Sequence, residues 1–205
     1  MMTIMGSSIS IGFVYGEFSI QAIENEIKRL VKYFVTTDGS LKKMKVSKDI
    51  DGEEWLEYDS LINLKVDSIY TTLAENYYGQ VEVNSSLFGH KNLTTTIRIE
   101  KEEDEGYFGF LLDIDEEELI KTNLASEINS VTEKIVDFIT GFYSYSAYDY
   151  AFCDNEAEIQ YSPRHFKKIE SSIYSISVIP TLDGNSNSLN IVRSNWNIDG
   201  LTSRI

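Results

Sequence analysis

Cys153 is the residue whose chemistry is most open to question, because it is the one thiol of the chain. Asp154 and His165 follow it closely, and a thiol, an imidazole and a carboxylate are the groups of a nucleophilic triad. Tyr150 and Phe152 flank the cysteine, however, and a free cysteine among apolar residues is most often a small buried hydrophobe. The pattern therefore favours a core cysteine, and we predict no catalytic residue.

Metal ligands are few and lack the spacing that a metal site needs. The two histidines, His90 and His165, are far apart in the sequence, whereas zinc needs three or four convergent ligands. A calcium loop starting at Asp113 requires glycine at its sixth position and glutamate at its twelfth. Those positions hold Glu118 and Leu124. We therefore expect neither a metal nor an organic cofactor.

Negative charge dominates the composition. The chain has 33 Asp and Glu against 18 Lys and Arg, a formal net charge of −15 over 205 residues. Two dense acidic runs comprise Glu100, Glu102, Glu103, Asp104 and Glu105, and then Asp113, Asp115, Glu116, Glu117 and Glu118. A surface of this kind repels nucleic acid and anionic membranes and attracts cationic protein. The charge thus predicts a basic protein partner, with no nucleic acid and no membrane.

Tyrosines interleave with acids further along the chain. Protein interfaces are enriched in aromatic anchors, and carboxylates at such interfaces pair with Arg or Lys of the partner. The alternative is that some of these tyrosines complete the core while the acids are solvated. On the first interpretation, the predicted partner-binding residues come from the first acidic run and the tyrosine-rich segment. They are Glu102, Glu103, Asp104, Glu105, Tyr145, Tyr148 and Asp149.

Cysteine usage and the N-terminal residues indicate the cellular compartment. A lone cysteine cannot form an intrachain disulfide. Residues 1–6 carry no Lys or Arg and so lack the charged start of a signal peptide. The apolar stretch at residues 9–20 is interrupted by polar residues and is too short to span a bilayer. We therefore expect a cytoplasmic protein.

A strand and a helix open the chain. Apolar residues alternate with small or polar ones over residues 8–18, which predicts a strand with one buried face. Apolar residues at three- and four-residue spacing then predict an amphipathic helix over residues 20–34, with Ser19 as its cap. The next elements are a short strand at 41–48, an ambiguous segment at 55–64 and a helix at 67–76.

Three consecutive strands are the clearest β element of the sequence. They are predicted at residues 78–87, 93–102 and 107–114 and form an antiparallel meander whose second turn is acidic. A long amphipathic helix at residues 124–142 follows it. Because the apolar stripes of the two long helices need a common apolar surface, we predict an α+β fold, an antiparallel meander sheet with amphipathic helices packed on one face.

The last third of the chain is less regular. Its predicted elements are a loop running into a strand at residues 143–152, a short helix at 164–171, and strands at 173–179 and 189–196. Ser162-Pro163 is a favourable helix start, and Pro180 is expected to end the strand before it. We expect residues 1–205 to form a single domain, with a division near residues 115–125 as the alternative.

The sequence SISIGFVYG at residues 8–16, followed by the helix at 20–34, resembles the start of the immunity protein 64 family. The resemblance covers this strand and helix and the acidic α+β character of the chain. It implies a small cytoplasmic protein that binds and neutralises a cognate bacterial toxin without catalysis of its own. No site residue carries over from the family, because the resemblance lies in a strand and a helix and not in a functional motif.

Three functional hypotheses follow. The first is an inhibitor of a cationic partner, such as a toxin nuclease domain, whose basic active-site cleft the acids would cover. The second is an enzyme with a dispersed site, which would have a deep pocket with converging polar groups. The third is a structural, oligomerising module with a large apolar self-complementary face. The sequence predicts no oligomeric state and does not name the partner.

Overall fold

The computed structural model describes residues 7–36, 38–59, 66–122, 124–167, 173–183 and 186–193. The strands are β1 (Ser8–Tyr15), β2 (Ser40–Ser47), β3 (Leu56–Tyr58), β4 (Tyr78–Leu87), β5 (His90–Glu102), β6 (Tyr107–Asp115), β7 (Tyr150–Asn155), β8 (Ile176–Asp183) and β9 (Ser186–Arg193). The helices are α1 (Ile20–Thr36), α2 (Val66–Glu75), α3 (Glu116–Leu119), α4 (Ala125–Phe142) and α5 (Pro163–Phe166). The strands form an antiparallel sheet in the order β3-β2-β4-β5-β6-β1-β7-β8-β9.

Strand β1 lies in the interior of the sheet although it opens the chain. It pairs with β6 on one side and β7 on the other, so Phe13 lies opposite both Phe110 and Ala151. Alternate residues of β1 point to opposite faces, and both faces are buried: Phe13 lies in the larger core and Val14 in the smaller one. β1 therefore joins the meander β4-β5-β6 to the C-terminal strands.

The helices α1, α2 and α4 supply the larger core on one face of the sheet. The apolar stripes of α1 and α4 are buried against the strands, as their spacing predicts. Ser19 caps α1, since its Oγ accepts a hydrogen bond of 3.0 Å from the N–H of Ala22. The predicted α+β fold, with helices on one face of an antiparallel meander, is confirmed.

The opposite face of the sheet carries a second, smaller core that the sequence did not predict. It covers β6, β1 and β7 and consists largely of stacked aromatic rings. Tyr150 stacks on Phe166 and Phe152 stacks on Tyr174, each with ring centroids 3.9 Å apart. The polypeptide after β7, including α5, therefore closes this face over the centre of the sheet.

Several predicted boundaries differ from the structure. The ambiguous segment 55–64 forms the short strand β3 where it is described, and residues 60–64 lie outside the described residues. Pro180 was expected to end a strand but lies within β8, opposite Leu189 of β9. β7 pairs only with Ile176–Val178, so β8 has one neighbour at Pro180, and the missing N–H is tolerated there.

Residues 164–171 were expected to be helical, but α5 ends at Phe166 and residues 168–171 are not described. Within the described residues, no helix combines the length and the apolar character that crossing a lipid bilayer requires.

Gly12 of β1 provides a test of the smaller core. A Cβ at this position would lie 2.2 Å from the ring of Phe152, which is fully buried and stacked on Tyr174. We expect Gly12→Ala to lower the free energy of unfolding by about 1–3 kcal/mol, because the ring has no room to move. Equilibrium unfolding in urea, followed by circular dichroism, measures this change.

Gly141 of α4 is the matched control, because the nearest heavy atom to an added Cβ is 3.6 Å away. A helical glycine replaced without strain should raise the free energy of unfolding by about 0.5–1 kcal/mol. If both variants are equally stable, the packing described for Phe152 over β1 is wrong.

Candidate functional site

The turn between β5 and β6 presents the acidic residues 102–105 to solvent; we call this turn, residues 102–106, the hairpin tip. Gly106 has a φ of +73°, which glycine adopts without strain, and its N–H donates a 3.1 Å hydrogen bond to the carbonyl of Glu103. The N–H of Phe18 donates to the carbonyl of Gly106 at 3.2 Å. The hairpin tip is thus tied to the connection between β1 and α1.

The four acidic side chains of the hairpin tip are exposed. Within the part of the chain that the structure describes, none of them forms an ion pair. Their negative charge is therefore not neutralised locally, and it is directed at solvent. These four residues are Glu102, Glu103, Asp104 and Glu105.

A groove of about 900 Å³ lies beside the hairpin tip; we call it the hairpin groove. Its walls come from the start of α1, the end of α2, the β2–β3 edge of the sheet and the end of β5. Its lining residues are Phe18, Ile20, Val46, Lys48, Ile50, Leu56, Tyr58, Thr72, Ala74, Glu75, Asn76, Tyr77, Lys101, Glu102, Glu103 and Asp104. The groove therefore combines three of the predicted acidic residues with apolar side chains from distant segments.

Lys101 fixes the end of α2 against the sheet. Its Nζ donates to the carbonyl of Leu73 at 3.2 Å, to that of Ala74 at 2.7 Å and to that of Asn76. These are the carbonyls that a helix end leaves without intrahelical partners. Burial lowers the pKa of Lys101 to about 8, from its ordinary value of 10.5. The lysine is consequently part of the groove wall, with its ammonium turned to backbone oxygens.

Exposed apolar side chains are concentrated in the hairpin groove. Nine large apolar side chains of the described residues are exposed, and four of them line this groove. They are Ile20, Ile50, Leu56 and Tyr77, with exposures of 42%, 61%, 57% and 45%. Concentrated apolar exposure beside unpaired charge is typical of an interaction surface. The sequence did not reveal this set, because its members belong to four separate segments.

A second groove, of about 630 Å³, lies on the other side of the hairpin tip and is lined by both Glu105 and Asp149. The carboxylate of Asp149 accepts a 2.7 Å hydrogen bond from the N–H of Gly16. The structure therefore divides the predicted acidic residues, since three line the hairpin groove and two line this second groove.

The second groove also contains Tyr15, whose hydroxyl lies 2.8 Å from Ser146 Oγ; the serine in turn donates to Glu26. Burial raises the pKa of Tyr15, with a smaller contribution from Glu26, so the phenol stays protonated. The chain of hydrogen bonds joins β1, α1 and the loop before β7. It is a connection between three elements of the fold.

The two predicted tyrosine anchors do not lie on the hairpin groove. Tyr148 is 1% exposed, packs 5.4 Å from Phe13 and donates to the carbonyl of Ile139. Tyr145 is exposed but packs edge-on against Tyr33 of α1, which lies about 20 Å along the helix axis from Ile20. Tyr148 thus belongs to the core, as the alternative interpretation held, and Tyr145 belongs to a different surface.

Most of the remaining acids of the two runs are used within the fold. Arg98 binds Asp113 at 2.6 Å, Glu100 at 3.0 Å and Glu158 at 3.2 Å on the face opposite the helices. Burial raises the pKa of Glu100, while the charge of Arg98 opposes the rise. Asp115 caps α3 through the N–H of Glu117. The second acidic run therefore contributes less free charge than its composition suggests.

The structure does not assemble the three groups of the nucleophilic triad. Cys153 is fully buried in the larger core, and burial raises the pKa of its thiol. Asp154 follows on the opposite face of the strand and accepts from Ser175, while the ring of His165 lies 3.0 Å from Ser162 Oγ. Among the described residues, no cluster of three or more His, Cys, Asp or Glu is arranged to hold a metal ion.

The fold and this surface define an acidic α+β protein with an apolar groove beside an unpaired acidic hairpin. The chain belongs to the immunity protein 64 family, whose family model matches residues 5–204. Membership confirms the resemblance of β1 and α1 and indicates a toxin immunity protein. No curated protein and no solved structure matches the chain.

Replacing Lys101 tests how the groove wall is built. We expect Lys101→Met to lower the free energy of unfolding at pH 7 by about 1–3 kcal/mol, because the carbonyls at the end of α2 lose their donor. Between pH 8 and pH 10 the folded protein releases the Lys101 proton while the unfolded chain keeps it. The wild-type protein should therefore gain stability over the variant as the pH rises. Urea unfolding at several pH values measures both effects.

Lys43→Met is the control for this pH dependence. Lys43 pairs with Glu82 at 2.8 Å, and this hydrogen bond raises its pKa above 10.5. Both states keep most of the Lys43 proton over this range, because its ordinary pKa is 10.5 and the folded value is higher, so the stability difference for this variant should stay nearly constant from pH 8 to pH 10. A constant difference for Lys101→Met as well would contradict the lowered pKa.

Proposed function

We propose that this protein neutralises a basic toxin domain by binding it through the hairpin tip and covering its active site. The observation that supports the proposal is the set of four exposed carboxylates without ion-pair partners among the described residues. Family membership supplies the class of partner, a toxin. The binding takes place in the cytoplasm, where the toxin would otherwise act on the cell that makes it.

Electrostatics make such a complex form quickly. A net charge of −15 creates an attractive field for a cationic partner, and the hairpin tip gives that field a local maximum. Attraction of this kind raises the association rate and is weakened by salt, because the Debye length is about 8 Å at physiological ionic strength. The hairpin tip is tied to Phe18, so its charges are already in position when the partner arrives.

Covering the active site is sufficient for neutralisation and requires no catalysis by this protein. A toxin that acts on an anionic substrate such as a nucleic acid needs a basic cleft. Carboxylates placed in that cleft occupy the positions of substrate phosphates. Inhibition should therefore be stoichiometric, and the substrate of the toxin should compete with this protein for binding.

Neutralising the hairpin tip tests the electrostatic part of the proposal. The variant replaces its four acids with the isosteric amides: Glu102→Gln, Glu103→Gln, Asp104→Asn and Glu105→Gln. We expect the association rate with the cognate toxin domain to fall about tenfold at low salt, and the dissociation rate to rise to the extent that these carboxylates also contact the bound toxin. Stopped-flow or surface plasmon resonance at two salt concentrations measures both rates.

The control variant removes the same net charge from exposed acids away from the hairpin tip. It carries Glu117→Gln, Glu118→Gln, Asp137→Asn and Glu156→Gln. We expect a clearly smaller loss of association rate than for the hairpin tip. If the two variants lose association rate equally, the attraction comes from net charge alone and not from the hairpin tip. An association rate that does not change with salt would overturn the proposal.

A further inference from the structure

We propose that the hairpin groove is the docking site for a loop of the toxin that carries an Arg or Lys side chain next to an apolar side chain. This inference rests on the proposed function and makes it specific, because it locates the contact and states the chemistry of the group that enters it. It differs from a general attraction between acidic and basic surfaces in requiring one groove and one kind of loop.

The charges of the groove favour a cation. Carboxylates of Glu75, Glu102, Glu103 and Asp104 line it, against the ammonium groups of Lys48 and Lys101. The ammonium of Lys101 is turned to the carbonyls of α2, as described above, and is already hydrogen bonded. The excess of carboxylates is thus available to an incoming guanidinium or ammonium group, which forms charge-assisted hydrogen bonds with them.

Apolar side chains of the same groove favour an occupant that carries an apolar side chain next to its cation. Ile50 and Leu56 are more than half exposed, and Tyr77 is 45% exposed. An apolar side chain of the partner that covers them removes this surface from water. Partly buried aromatic and aliphatic side chains surrounded by charge are the arrangement in which interfaces concentrate their binding energy.

The walls of the groove are fixed by strand pairing and by contacts with Tyr78. Leu56 is held in register opposite Val46 by the pairing of β3 with β2. Tyr78 donates to the carbonyl of Ile50 at 2.9 Å, and Tyr77 packs edge-on against Tyr78 with ring centroids 4.8 Å apart. A groove with walls of this kind loses little conformational entropy on binding, and its volume of about 900 Å³ suits a short loop.

Alanine substitutions in the groove test the docking site. Tyr77→Ala and Leu56→Ala should each raise the dissociation rate of the complex with the cognate toxin domain by about tenfold or more, with little effect on the association rate. The matched controls are Tyr145→Ala and Leu124→Ala. These side chains are exposed to similar extents, 56% and 60%, but do not line the groove, so they should leave both rates unchanged.

A coupling measurement tests the cation. Asp104→Asn is combined with replacement of each Lys and Arg of the toxin domain by Met, one at a time. When one particular toxin cation has been replaced, the factor by which Asp104→Asn raises the dissociation constant should be smaller by about fivefold or more than with the unchanged toxin. That cation is the group that enters the groove. Additive effects for every toxin cation would overturn the proposal.

The outcomes separate this inference from the proposed function. Toxin binding that depends on salt and on the hairpin tip, but is unaffected by Tyr77→Ala and Leu56→Ala, leaves the proposed function standing and overturns the docking site. Faster dissociation for Tyr145→Ala alone would move the anchor to that surface. A wild-type dimer that Leu56→Ala dissociates would assign the groove to a second copy of the chain. Absence of toxin binding by the folded wild-type protein overturns the proposed function itself.

Discussion

β1 is buried on both faces and paired on both edges. The rest of the structure depends on this constraint. The ring of Phe13 contacts the ring of Phe142 of α4, and their centroids lie 4.8 Å apart. On the other face, Gly12 accommodates the ring of Phe152. Moving the register of β1 by one residue would exchange the two faces and turn Phe13 toward the smaller core, where Gly12 now accommodates Phe152. β1 also sets the position of the site: β6 runs beside it, so the turn before β6 emerges next to the connection that leads into α1.

Local patterns were sufficient to predict the elements but not their order in the sheet. The meander β4-β5-β6 and the helices α1 and α4 follow from alternation and from three- and four-residue spacing, and their bounds agree with the structure within a few residues. The insertion of β1 between β6 and β7 joins residues about 100 positions apart on one side and about 140 on the other, and spacing within one segment carries no information about such pairing. Pro180 illustrates the same limit, since a proline is tolerated in β8 only because the neighbouring strand ends before it.

The sequence was sufficient to predict the charged residues of the candidate site, but not its apolar residues. Glu102–Glu105 belong to a hairpin turn, and four consecutive acids in a turn are exposed whatever the rest of the fold does. Tyr145 and Tyr148 are three residues apart and have similar neighbours in the sequence, yet one is 56% exposed and the other 1%. Tertiary contacts alone distinguish them. Ile50, Leu56 and Tyr77 form a surface only after β3 has paired with β2 and Lys101 has fixed the end of α2.

The fold separates the acids into two kinds, those that pair with a cation within the fold and those that do not. Asp113, Glu100 and Glu158 surround Arg98 on the face opposite the helices, where the guanidinium offsets one of the three negative charges. Such pairs contribute to the fold and add little to a field at long range, because opposite charges close together cancel at a distance. The acids of the hairpin tip have no such partner among the described residues, so their four negative charges lie uncompensated beside the hairpin groove. Unpaired carboxylates and exposed apolar side chains therefore lie at one place, which is the arrangement that the proposed docking of a cationic partner requires.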